Sequence, residues 1–143
     1  MDSYCERQFG GDMILIQDIW RSFRALPMWV QIWVGLILVP VNMVPILFVY
    51  QPAGLLIAAL AIGGMMPNLF IMIKERGLSK AMALPHLVIW TPLVFILLTN
   101  LGSPWMQGGY QTYIWLLLAV DLLSLAFDYP DAWKWWKGDR AVA

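Results

Sequence analysis

The sequence predicts an all-α integral membrane protein with four transmembrane helices, on three grounds. First, 61% of its 143 residues are hydrophobic and only 13% are charged, whereas a soluble domain is roughly half apolar and about a quarter charged. Second, no charge falls between Arg24 and Lys74, or between Lys80 and Asp121, and a surface facing water would need charges there. Third, the apolar runs 28–50, 54–73, 84–101 and 112–127 each approach the roughly 20 residues a helix needs to cross a ~30 Å hydrocarbon core. The fourth run is the shortest. Membrane strands would have to close into a barrel and would alternate apolar with polar residues, a pattern these runs lack.

Ahead of the first run, residues 12–26 read as an amphipathic helix. At 100° per residue Met13, Leu15, Ile16, Ile19, Trp20, Phe23 and Leu26 share an arc, with Asp18, Arg21 and Arg24 opposite. Ile14 on the polar arc and Asp12 on the apolar one depart from the pattern, and Asp12 is a candidate cap for the helix start. Such a helix, ending at Pro27, is expected to lie in the membrane interface with Trp20, Arg21 and Arg24 as anchors. The competing expectation is that it packs on the protein's own loop.

The first spanning helix contains Pro40 and Pro45 on either side of Asn42. Each proline removes a backbone donor and should kink the helix, freeing carbonyls. Pro67 in the second helix and Pro85 and Pro92 in the third repeat the theme, while Gly63 and Gly64 mark a surface for close helix approach. The segment 102–111, rich in glycine and proline around Trp105 and Tyr110, reads as a turn with an aromatic belt. Residues 128–143 mix Trp133, Trp135 and Trp136 with Lys134 and Lys137. They are expected to form an interfacial tail with a second short surface helix, Pro130 near its first turn.

All nine Lys and Arg residues lie before the first run, between the second and third, or after the fourth. By the positive-inside rule both termini and the middle loop should be cytoplasmic, in a multi-pass protein of the cell inner (plasma) membrane. One membrane domain, 1–143, is the expected organisation. The first long apolar run begins too late and spans too far for a cleavable signal peptide. Cys5 has no partner for a disulfide, and one cysteine with one histidine cannot build a zinc site. No nucleotide, hydrolase, metalloprotease or paired-histidine heme motif is present, so no cofactor and no metal are expected. With nine Lys or Arg against nine Asp or Glu, nothing points to nucleic acid.

Asp121 is the most informative position, since an ionisable group inside a spanning helix is costly and is kept where it has a partner or a water path. Counting helix rise from the end near Asp128 places Asp121 at a depth near Asn68 and His86, with Ser124 one turn away. Asp121, His86, Asn68 and Ser124 are therefore expected to form a transport or polar cluster in the cytoplasmic half, with Asn42 lining the other end of a path. A purely structural role, holding helices together, competes with that reading. The function expected is a homo-oligomeric permeation or transport unit for an ion or small solute. The alternative is an accessory or assembly subunit of a larger membrane complex, and an enzyme is the least favoured class. The partners expected are the lipid bilayer and either further copies of the chain or a membrane-complex partner.

Overall fold

The computed structural model describes residues 2–143, with side chains from Gly10 onward. The side chains of Cys5 and Arg7 lie outside that description. Five helices, and no strand among the described residues, make up the fold: α1 (Asp2–Ala25), α2 (Met28–Phe48), α3 (Gly54–Glu75), α4 (Ala83–Asn100) and α5 (Gly108–Trp136). A 3₁₀ turn, Lys80–Met82, leads into α4. Four of the helical segments are long and apolar enough to cross a membrane, with mean hydropathy from 1.4 for Gly108–Trp136 to 2.1 for Gly54–Glu75.

Two helices outrun their sequence patterns. α1 begins at Asp2, so Asp12 is interior and does not cap a helix start. α5 runs 29 residues without a break through Pro130, so no separate surface helix follows the fourth span. An internal proline costs a hydrogen bond, but here tertiary contacts on both sides of Pro130 hold the helix. Ala132 is buried, Asp128 bonds to α4, and the Tyr129 hydroxyl lies 3.1 Å from that of Thr91.

α2 changes pitch at its prolines. It passes from α-helix (Met28–Ile32) to a π-helical stretch (Trp33–Leu38), back to α-helix (Val39–Met43) and into a 3₁₀ turn (Val44–Phe48). Pro45 has no N–H for the carbonyl four residues back, that of Val41. The Tyr113 hydroxyl of α5 donates to that carbonyl instead, so a kink that would leave a bare acceptor becomes an interhelical tie. Phe48 stacks on Tyr113 and tilts against Tyr110, and the Tyr110 hydroxyl donates to the Pro52 carbonyl at 3.0 Å, closing the end of the bundle away from the termini.

α4 lies between α3 and α5, and the core runs along it: Trp90, Leu93 and Leu97 meet Ile57 and Ala61 on one side and Ile114 and Leu117 on the other. Trp90 is 0% exposed, and its indole N–H donates to the Ala61 carbonyl at 3.1 Å. That approach requires Gly64, where a Cβ would sit 2.1 Å from Trp90 Nε1. Gly63, the other half of the expected contact surface, meets nothing within 4 Å. One residue is 100° of helix rotation, so the neighbour of a packed glycine need not be packed.

At the terminal end α1 rests on the loop after α3. Asp18 pairs with Arg76 at 2.8 Å, and Ser22 Oγ accepts the Leu78 N–H at 2.8 Å. The expectation that α1 packs on the protein's own loop is thus met along its Asp18–Ser22 side. Buried Gln31 joins α1 to α2 across Pro27. Its amide donates to the Arg24 and Leu26 carbonyls at 3.2 and 2.8 Å and accepts from the Arg24 guanidinium at 2.9 Å. Arg24, expected to face headgroups, is exposed, and its guanidinium also bonds to Gln31. The chain after α5 folds back: Ser79 and Val142 form an isolated antiparallel bridge, and Lys80 pairs with Asp139 at 2.9 Å. The Lys80 ammonium holds the Asp139 carboxyl below its usual range.

Candidate functional site

Helix register decides which polar residues meet. Measured from the terminal end at 1.5 Å per residue, Asn68 is seven residues before Glu75, ~10 Å up, and His86 is six after Lys80, ~9 Å up. Asp128 is eight residues before Trp136, ~12 Å up, and so belongs to this layer. Asp121 is fifteen residues before Trp136 and Asn42 fourteen after Met28, both more than ~20 Å up. The expected single cluster therefore separates into two layers.

The lower layer is a continuous network. Asn68 Nδ2 lies 2.9 Å from His86 Nε2, His86 Nδ1 lies 2.9 Å from Asp128 Oδ2, and Ser124 Oγ donates to that same oxygen at 3.0 Å. In the tautomer with its proton on Nδ1 the ring donates to the carboxylate, and Nε2 then accepts an Asn68 N–H. His86 stacks flat on Trp90, with ring centroids 3.9 Å apart and an interplanar angle of 7°. Imidazole position is thus fixed from three sides: by carboxylate, amide and indole.

The upper layer is a pair. Asn42 Nδ2 donates to Asp121 Oδ1 at 2.9 Å and to the Leu38 carbonyl at 3.2 Å, with both side chains fully buried. Asn42, expected at the far end of a path and apart from Asp121, is its partner. The cause is the length of α5: eight residues beyond Asp128 raise Asp121 by more than two turns relative to the helix end. The pair sits in the packed core and joins α2 to α5.

Sequence reasoning overlooked Asp128 by treating it as the start of a tail. The signal was there, since Asp121, Ser124 and Asp128 at i, i+3 and i+7 share one helix face. Of the expected anchors, Trp20, Trp133 and Trp136 are exposed, with the Lys137 ammonium 4.7 Å from the Trp133 ring. Trp135 is half-buried beneath the Arg140 guanidinium at 4.3 Å.

The lower layer borders a half-open cavity of about 1050 Å³, several of whose lining side chains, Trp20, Trp29 and Leu69 among them, are exposed. Residues of α1 and of the chain end line it below. Its walls are α2 from Trp29 to Met43, α3 from Met65 to Met72 and the lower part of α5. Asn68, His86, Ser124 and Asp128 line it, whereas Asn42 and Asp121 do not. Chemically, the network can exchange protons and hydrogen-bond a solute. It is not arranged for acyl transfer, because the Ser124 hydroxyl donates to the carboxylate and the imidazole Nε2 faces an amide.

The described residues form an all-helical fold with four segments long and apolar enough to cross a membrane. Comparison with protein-family models, curated proteins and solved structures gave no match.

Proposed function

We propose that this chain is a multi-pass protein of a bacterial inner membrane, with both termini cytoplasmic, working as a homo-oligomeric permeation unit for an ion or small solute. The observation that carries the proposal is the cavity among the spanning helices, bordered by the Asn68, His86, Asp128 and Ser124 network. Ionisable groups at such depth are expensive and are typical of solute and proton pathways. Asp128 and His86 take the role that the sequence pattern offered to Asp121, and the Asn42–Asp121 pair acts as a clamp. One copy has four spanning helices, few to enclose a path, so further copies are expected to complete it.

The orientation rests on the distribution of the nine Lys and Arg residues. Exposed Met13, Ile16 and Trp20 on one arc of α1 favour an interfacial position for that helix, with Asp18 turned to the loop. Reporter fusions at residues 52, 78 and 107 are expected to give a cytoplasmic signal at 78 alone; a cytoplasmic signal at 52 or 107 would reverse the topology.

The permeation reading is tested in liposomes bearing the purified chain and an imposed pH gradient, followed with an entrapped pH-sensitive dye. The gradient should collapse faster than in protein-free liposomes. Asp128→Asn should return the rate to the protein-free level, and Asp121→Asn should leave it near that of the unmodified chain. A rate no greater than that of protein-free liposomes would overturn the proposal.

A further inference from the structure

The Asn42–Asp121 pair leaves two acceptors without a donor. Both side chains are 0% exposed, and the Asn42 amide donates to Asp121 Oδ1 at 2.9 Å and to the Leu38 carbonyl at 3.2 Å. The oxygens that remain, Asn42 Oδ1 and Asp121 Oδ2, are buried with no hydrogen-bond partner. A buried acceptor left unpaired is costly, and more so when it carries charge.

The neighbours supply neither a donor nor a counter-ion. The Tyr113 hydroxyl donates to the Val41 carbonyl, that of Tyr110 to the Pro52 carbonyl, and that of Ser124 to Asp128. α2 carries no ionisable side chain, and α3 has none before Lys74 near its end. α4 contributes His86 alone, in the lower layer and bonded to Asp128. Along α5, Asp128 is a like charge two turns away, and the first cation, Lys134, is ~20 Å of helix rise beyond Asp121.

One added hydrogen completes the pair. A protonated carboxyl donates as well as accepts, and it carries no charge into the core. Neither residue lines the cavity below, and a proton, unlike a hydrated ion, needs no room of its own.

We propose that Asp121 is a proton-binding site of the folded chain: its carboxyl is held as the neutral acid, with Oδ2–H donating to Asn42 Oδ1 while Asn42 Nδ2–H donates to Asp121 Oδ1. The clamp between α2 and α5 is then an acid–amide ring of two hydrogen bonds. Loss of the proton breaks one bond and leaves an unpaired carboxylate in the core. Asp121 lies outside the cavity, so this proton is bound whether or not the lower layer conducts.

Infrared spectroscopy of the full chain in phosphatidylcholine nanodiscs at neutral pH tests this, with and without carbon-13 in the aspartate carboxyls. The label should shift one protonated-acid carbonyl band, at the frequency of a hydrogen-bonded acid. Asp121→Asn should remove the band and, since asparagine can make both bonds of the ring, remain folded; Asp128→Asn should keep the band. An unfolded aspartate is ionised above about pH 4, so the folded chain carries one proton more than the unfolded. The unfolding constant of the unmodified chain, relative to that of Asp121→Asn, should therefore rise about tenfold per pH unit up to the pH at which the band is lost. The band in the unmodified chain and its survival in Asp128→Asn stand even if Asp121→Asn fails to fold. Absence of a labelled acid band in the unmodified chain, a band at the frequency of a free acid, or one that Asp128→Asn removes would overturn the inference.

Discussion

Replacing Gly64 with alanine is expected to destabilise the protein by about 3 kcal/mol, near the upper end for overpacking a core. The added Cβ would lie 2.1 Å from Trp90 Nε1 and 2.5 Å from Cδ1, and a rigid indole that is 0% exposed has no room to swing aside. Moving it breaks the bond to the Ala61 carbonyl and unstacks His86, so the packing fault reaches the polar network. Unfolding of the purified chain in mixed detergent micelles measures the loss. Gly63→Ala, one position away and facing open space, should be near neutral and controls for helix propensity.

Asn42→Leu should cost about 3 kcal/mol, because removing one partner of a buried pair strands the other, here Asp121 at 0% exposure. Membrane hydrogen bonds taken singly average below ~1 kcal/mol, so the expected loss lies mainly in the stranded carboxyl group. Two further variants separate these contributions. Asp121→Asn keeps an oxygen that accepts from Asn42 and should fold almost as well as the unmodified chain. In the double variant Asn42→Leu, Asp121→Leu no polar group is left stranded, and stability should recover most of the single-variant loss. Failure of the double variant to recover, beside a mild Asn42→Leu, would show that the pair is not the tie between α2 and α5.

The spanning helices were legible because membrane crossing imposes a length, and the apolar runs display it directly. α3 was expected over 54–73 and is Gly54–Glu75; α4 was expected over 84–101 and is Ala83–Asn100. The end of α5 was not legible. Asp128, Pro130 and Asp131 read locally as a helix ending, and only contacts with α4, absent from any local pattern, carry the helix on to Trp136. That single boundary moved the candidate site. Asn68 and His86 were matched in depth from ends that held, and they do meet. Asp121 was measured from the wrong end, and so its partner Asn42 was placed in the other half of the membrane. The rotation that packs Gly64 and leaves Gly63 open belongs to tertiary structure as well. The cavity depends on the path of α2 after Pro27, set by the Gln31 contacts, and no run of residues announces it.

The account turns on this chain acting with copies of itself around a site it carries alone. Native mass spectrometry of the complex purified from its own membrane in a mild detergent, with every co-purifying polypeptide identified, tests that most directly. The predicted result is the mass of two or more copies of the 16.3 kDa chain with no other polypeptide at stoichiometric amount. A stoichiometric foreign polypeptide would contradict it and make the chain an accessory subunit of that partner's complex.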